Sequence, residues 1–332
     1  MSKRLLTPYS DDVQARRPST HLSLSRVGVT GVEKVVRIGV GDTEQLFYAE
    51  LECFVDLNPS QKGAHMSRFE EKVNEAIEEV VLGEAFKAET LAAHIAERVR
   101  DAQGALRAEV TIAARYPEEK TAPSSGAQTQ EIYTLFGRAA ASAAGTRRLV
   151  GVQAQGMTAC PCAQEMVAAR SRDRLAEEGF SEEEILRILE AVPVATHNQR
   201  GLGTLHIGCG PGCGNAIDAI ELLEIVEESM SSEIFELMKR SDEVEVVEKA
   251  HRHPRFVEDC VRESVRLAIE RLGDRHREDC FLLASQENLE TIHQHSVVAE
   301  REGLFGELAG ELASEEETVP HTSMREWLAS RS

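Results

Sequence analysis

The sequence predicts an α+β chain made of two similar halves. Period-two apolar runs give strands, runs with apolar residues at three- and four-residue spacing give helices, and the order strands, two helices, strands occurs twice. Residues 27–41 (VGVTGVEKVVRIGVG) and 45–55 (QLFYAELECFV) carry the β-branched and aromatic alternation of strands, with Gly41 and Asp42 as a hairpin turn. From Ser67 the pattern is helical, with Phe69, Val73, Ala76, Ile77 and Val80 on one face, and residues 91–99 form a second helix. Residues 108–114 (AEVTIAA) return to strand, and the Pro-, Ser- and Gly-containing stretch 116–128 is expected to be a loop between the halves.

The second round starts with strands at 148–158 and 203–207. Helices at 218–239 and 254–272 and a strand at 279–284 follow. Inside it, Gly179 fits a helix end, and Ser181 with Glu184 forms a capping box flanked by Phe180 and Ile185 as a hydrophobic staple. That marks a helical hairpin between Cys160 and His197. The expected organisation is a flexible start at 1–20, a first unit at 21–128, a second unit at 129–300 with a helical insertion at 163–195, and a flexible acidic tail at 301–332.

The chain has 332 residues, with 57 acidic against 37 basic side chains and a formal charge of -20. A broad surface that grips nucleic acid through its phosphates is excluded by that balance. A phosphorylated small molecule is not, provided a few cations are concentrated around it. No apolar run suits a membrane span or a secretory signal, so a cytoplasmic protein is expected. Seven cysteines, an odd number without an export signal, argue against a disulfide framework.

Several segments could carry chemistry. Cys160-Pro161-Cys162 follows a strand and offers soft thiolate ligands for zinc or ferrous iron, or else two small buried hydrophobes. His197 to Arg200 (HNQR) packs an imidazole, two amides and a guanidinium together, the mixture expected where a metal and an anion lie close. Glu290, His293 and His295 around an apolar Ile292 supply paired ionisable groups whether the segment is strand or helical turn. Lys62, His65 and Arg68 surround a strand-to-helix junction where Ser67 could cap the helix, a setting suited to phosphate or to an ordinary helix start. Cys209 and Cys213 sit in GCGPGCG with no second pair nearby in sequence, and read as a turn with two incidental thiols.

The ordered set VGVTGVEKVV, FVDLNPSQKGAHMSRFEE, CPC, THNQRG, LMKRSDEVEVVEKAHRHPRFVED and ENLETIHQHS, spanning residues 12–300, resembles the metal-dependent GTP cyclohydrolases of the bacterial type IB and archaeal MptA group. The resemblance implies two tandem tunnelling-fold units, each an antiparallel sheet backed by helices, assembled into ring-like homodimers or homotetramers with active sites near subunit interfaces. It implies one divalent metal per subunit, Fe(II) before Zn(II) or Mn(II), held by Cys160, His197, Glu243 and His293. Glu290 falls on the acid/base position, Glu258 on the carboxylate that anchors guanine, and Lys62, His65, Arg68 and Arg200 become triphosphate ligands. The helical insertion after CPC favours MptA, whose product is a dihydroneopterin 2',3'-cyclic phosphate; type IB enzymes keep the triphosphate. Two features depart from the family pattern: Ser241 replaces the usual Pro after Lys-Arg, and GCGPGCG is foreign to it. A noncatalytic metal-binding structural protein is the rival from another class.

Overall fold

A computed structural model describes residues 13–40, 43–80, 87–211, 213, 217–314 and 321–330. The chain divides into two compact units, residues 1–112 with 137–148, and residues 113–136 with 149–332. The boundary expected near residue 128 does not separate them, because three long strands, β3 (Arg107–Thr121), β4 (Gln128–Ser142) and β5 (Gly145–Ala159), each contribute residues to both.

In unit 1, β1 (Leu24–Val40) and β2 (Thr43–Leu57) pair antiparallel from Leu24↔Leu57 to Val40↔Thr43. The turn expected at Gly41 and Asp42 lies outside the described residues. Along β2, Phe47, Ala49, Leu51, Cys53 and Val55 are buried while Tyr48 and Glu50 are exposed, the alternation of a half-covered sheet. Two helices bury matching stripes: Phe69, Val73 and Ala76 on α1 (Met66–Val80), and Leu91, Ile95 and Val99 on α2 (Ala88–Gln103). Because α1 starts at Met66, Ser67 lies within its first turn and does not cap it. Gly104, at φ 63°, ends α2 by donating its N–H to the carbonyls of Arg100 and Asp101. Where β4 passes α2, a Cβ on Gly137 would stand 2.2 Å from the carbonyl carbon and oxygen of Ala88.

In unit 2, β6 (Asn198–Cys209) pairs antiparallel with β8 (Phe281–Leu289), and β8 with β9 (Val297–Leu304). The short β7 (Ser232–Glu233) pairs with β5. Nine strands among the described residues follow the hydrogen-bonded order β1-β2-β3-β4-β5-β6-β8-β9, with β7 beside β5. This is the predicted α+β architecture. α5 (Ala219–Glu228) and α7 (Val257–Leu272) bury Leu222, Ile225, Val261, Val265 and Ala268 in the core of this unit.

Three expectations need correction here. The loop read at 116–128 is shorter: β3 runs on through Pro117 to Thr121, and only residues 122–127 turn, with Gly126 at φ 66°. The charged end of β3 is held by pairing rather than burial, since Lys120 Nζ donates to both carboxylate oxygens of Glu227 at 2.8 and 2.9 Å. The single helix expected at 218–239 stops at Glu228, and α6 (Arg240–Arg252) follows, unforeseen because it buries only Asp242, Val246 and Ala250. The mobile tail expected at 301–332 contains the end of β9, α8 (Phe305–Ala313) and α9 (Met324–Ala329). Trp327 of α9 is 2% exposed, packs on Phe281, and donates Nε1–H to the carbonyl of Asp279.

The start of α6 is fixed by a polar anchor. The Asp242 carboxylate accepts from the Ser125 hydroxyl and from the N–H groups of Lys239, Ser125 and Ser124. Those bonds, the Ser125 hydroxyl foremost, hold its pKa well below the ordinary aspartate range.

Two outcomes follow from this packing. Gly137→Ala should lower the free energy of unfolding by roughly 1–3 kcal/mol, because backbone must move to admit the methyl group; an unchanged urea midpoint would contradict it. Asp242→Asn should destabilise the protein at neutral pH. A carboxylate whose pKa is depressed on folding contributes stability above its unfolded pKa of about 3.9 and loses it as the pH falls. The gap between parent and variant should therefore shrink on acidification, and a gap that stays constant would refute the anchor.

Candidate active site

The site is built at one end of the β5–β6–β8 region of unit 2. β5 ends at Ala159, and Cys160 stands at the amino-terminal cap of α3 (Pro161–Glu177) with no side-chain capping bond. Its backbone N–H donates to the carbonyl of His197 at 3.1 Å, and Thr196 Oγ1 donates to the carbonyl of Cys160 at 2.7 Å. The helical hairpin, α3 with α4 (Glu182–Ala191), thus leaves and rejoins the sheet at one point. The Ser181–Glu184 capping box is present as expected. Ile185 is buried but Phe180 stays 43% exposed, so the staple lacks its outer half.

Strand alternation then sorts the HNQR segment. His197 and Gln199 face a cavity of about 490 Å³, whereas Arg200, on the opposite face of the pleat, lines a second cavity of about 340 Å³ with Arg115, Glu131, Tyr133 and Glu227. The expected adjacency of His197 and Arg200 is therefore not found. His197 Nδ1 contacts Gln199 Oε1 at 3.1 Å, which selects the tautomer that donates from Nδ1 and leaves the Nε2 lone pair free for a ligand. Glu290, directly after β8, has its carboxylate 3.8 Å from the same Nδ1 with a side chain only 8% exposed.

Residues 291–295 form a bend tied to β6 by Thr291 Oγ1, which donates to the carbonyl of Asn198 at 3.0 Å. On that bend the rings of His293 and His295 stack, 5.2 Å apart and 15° from parallel. Ile292 is 62% exposed, not buried as its neighbours suggested. Glu258, in the first turn of α7, also lines this cavity. Sequence reasoning assigned no role to Gln199 within HNQR and missed Asn288 and Arg255 of the same wall. Arg255 is engaged as scaffold: its N–H donates to the carbonyl of Ala159 and its guanidinium to the carbonyls of Glu228 and Met230.

The other predicted residues lie elsewhere. Glu243 is exposed on α6 and is not part of this cavity wall. Cys162 is exposed in α3. Lys62, His65 and Arg68 belong to unit 1 around the start of α1, where the buried Gln103 amide brackets the His65 backbone and Arg68 donates to the carbonyl of Ala102. One thiol, two imidazoles and a nearly buried carboxylate line a single open cavity; these donor types suit a borderline divalent metal, and among the described residues their ligand atoms do not yet converge within 4.8 Å of one another.

Solved uricases from Arthrobacter globiformis and Bacillus fastidious align with the chain at TM-scores of 0.49 and 0.46 and sequence identities of 7% and 10%; the first alignment covers 90% of this chain and 96% of the uricase, the second 90% and 99%. GTP cyclohydrolase MptA of Methanococcus vannielii is 40% identical over 309 residues, 91% of this chain and 98% of that protein. MptA of Methanosarcina acetivorans is 38% identical over 310 residues, 91% and 96% of the two chains. The family model described as type I GTP cyclohydrolase folE2 matches residues 11–299, and with these relatives it shows that the chain belongs to that family.

Proposed function

We propose that the protein is a GTP cyclohydrolase of the MptA type, opening the guanine imidazole ring at C8 and releasing formate. The observation that carries this reading is the gathering of Cys160, His197, Glu258, Glu290 and His293, from four separate stretches of sequence, around one open cavity. A closed structural metal site would be buried and would leave no room for a substrate. Here His293 is exposed and the cavity stands open beside it.

Cys160, His197 and His293 are the residues that would hold a divalent ion, with Fe(II) preferred over Zn(II) or Mn(II), and such an ion supplies Lewis-acid activation of a water molecule. Glu290 takes the place proposed for Glu243 as the carboxylate of the site, because it lies on the cavity and Glu243 does not. Its carboxylate accepts a proton from the attacking water and returns it to a ring nitrogen as the first C8–N bond breaks. A second water cleaves the remaining C8–N bond; formate leaves with C8, and both nitrogens end protonated. Glu258 accepts the guanine N1–H and exocyclic N–H, a pair that adenine does not present. Gln199 holds the His197 ring in its tautomer throughout.

The freed amine then condenses with the ribose-derived chain to form the dihydropterin. In the MptA outcome a ribose-derived hydroxyl displaces diphosphate from the inner phosphate, giving the 2',3'-cyclic phosphate. The α3–α4 hairpin between Cys160 and His197 favours this over the type IB product, which keeps the triphosphate. Lys62, His65, Arg68 and Arg200 are the proposed triphosphate ligands, and the proposed assembly is a homodimer or homotetramer.

Incubation of the metal-loaded protein with GTP should release formate, and product mass should show the cyclic phosphate; absence of formate with Fe(II), Zn(II) and Mn(II) alike would reject the reading. Cys160→Ala should abolish formate release and reduce metal retention, so a fully active variant would remove this thiol from the ligand set. Glu258→Gln should lower kcat/KM for GTP about 10- to 100-fold, as loss of a charged acceptor predicts. An unchanged KM and kcat would place the guanine elsewhere.

A further inference from the structure

The second cysteine group belongs to no step above. Among the described residues, the Sγ atoms of Cys209, Cys213 and Cys280 all lie within 4.8 Å of one another. Cys209 is the last residue of β6 and Cys280 immediately precedes β8, and the β6–β8 ladder ends at Gly208↔Phe281, which brings the two thiols face to face. The N–H of Cys213 donates to the carbonyl of Gly210 at 3.2 Å, a tight turn that carries Cys213 back over Cys209.

Two details separate this group from incidental burial. First, Cys209 Sγ and Cys280 Sγ are 4.0 Å apart. That is twice the length of a disulfide, but close to the edge of about 3.8 Å of a tetrahedron with metal–sulfur bonds of about 2.3 Å. Second, His276 neighbours the Cys280 thiol, is 9% exposed, and its buried Nδ1 has no hydrogen-bond partner; the ring stands outside the group of three mutually close sulfurs and turns in to complete it. A buried ring nitrogen without a partner costs free energy that a metal bond removes.

We infer that Cys209, Cys213, His276 and Cys280 form a second metal site, a closed Cys3His centre for Zn(II) with a structural role. Spacings of C-x3-C and H-x3-C supply two short clips, and the 62 residues between Cys213 and His276 form the long span that the metal closes. All four ligands come from protein, so no position stays open for water or substrate. The site stands at the opposite end of the β6–β8 ladder from the candidate active site. Arg200↔Leu289 and Gly208↔Phe281 are eight residues apart, a separation of about 27 Å at strand rise. Zinc here fixes the start of β8, against which Trp327 packs.

The test uses the full chain carrying Cys160→Ala, which disables the other thiolate site, expressed with zinc and analysed for metal content. About one zinc per chain should remain, and adding Cys213→Ser, at a half-exposed position that spares the core, should remove it. Replacement by Co(II) should give thiolate-to-cobalt charge-transfer absorption that the Cys213→Ser change abolishes, and Cys213→Ser alone should lower the Tm. Zinc content unaffected by Cys213→Ser, a zinc-free chain whose three thiols react freely, or a Cys209–Cys280 disulfide found by mass would each overturn the site. None of these readouts depends on formate release.

Discussion

The candidate active site depends on one closure, the pair of hydrogen bonds between Cys160 and the Thr196–His197 segment. Residues 160 and 197 are separated by a two-helix excursion whose first helix, α3, buries no residue. Closing a loop of this length costs about 3 kcal/mol in chain entropy. The bonds Cys160 N–H to His197, Thr196 hydroxyl to Cys160 and Gln164 amide to Val194 offset it at about 1 kcal/mol each. The Gln164 amide also reaches the carbonyl of His251, which ties the base of the hairpin to α6. Remove the closure and the thiol and the imidazole belong to unrelated pieces of chain.

The pleat of β6 imposes the second constraint. Consecutive side chains point to opposite faces, so a segment that groups His, Asn, Gln and Arg must divide them. His197 and Gln199 take one cavity and Arg200 the other, where Tyr133 donates to Glu227 and acidic groups dominate. The division separates the positive guanidinium from the His197 imidazole, and leaves a neutral amide as the partner that orients it. A cation beside the proposed ligand set would compete with a divalent ion for the same thiolate and carboxylate, and the pleat keeps Arg200 out of that competition.

Strand and helix positions were legible wherever burial set the pattern. The stripes of α1, α2 and α7 and the alternation of β2 follow directly from apolar spacing. Legibility failed where polar contacts replace burial. α6 is anchored by Asp242, which reads in sequence as one more surface acid, and the end of β3 is held by the Lys120–Glu227 pair. The acidic tail looked mobile because one residue, Trp327, carries much of its docking. In the site, Cys160, the HNQR segment with His197 and Gln199, Glu290 and His293 stood out as dense polar motifs, while Asn288 resembled an ordinary strand residue. Glu243, which motif order places among the ligands, is exposed on α6 and off this cavity wall, because helical phase turns its neighbour Asp242 inward.

The two ends of the β6–β8 ladder show why the same residue types lead to different chemistry. At the 200–289 end the donors come from a cap, a strand start and an exposed bend, so their shell is incomplete and a cavity adjoins it. At the 208–281 end two thiols are only 4% and 1% exposed, and with Cys213 their sulfurs lie within 4.8 Å of one another. Openness follows from the backbone: a bend after β8 holds its histidines out over the cavity, whereas the ladder's last pair forces thiols together. A metal at the closed end restrains the strands from one side, and the Cys160–His197 bonds restrain them from the other. The bend bearing His293 follows the ladder's Arg200↔Leu289 pair and is tethered to β6 through Thr291, which holds its imidazoles beside the cavity.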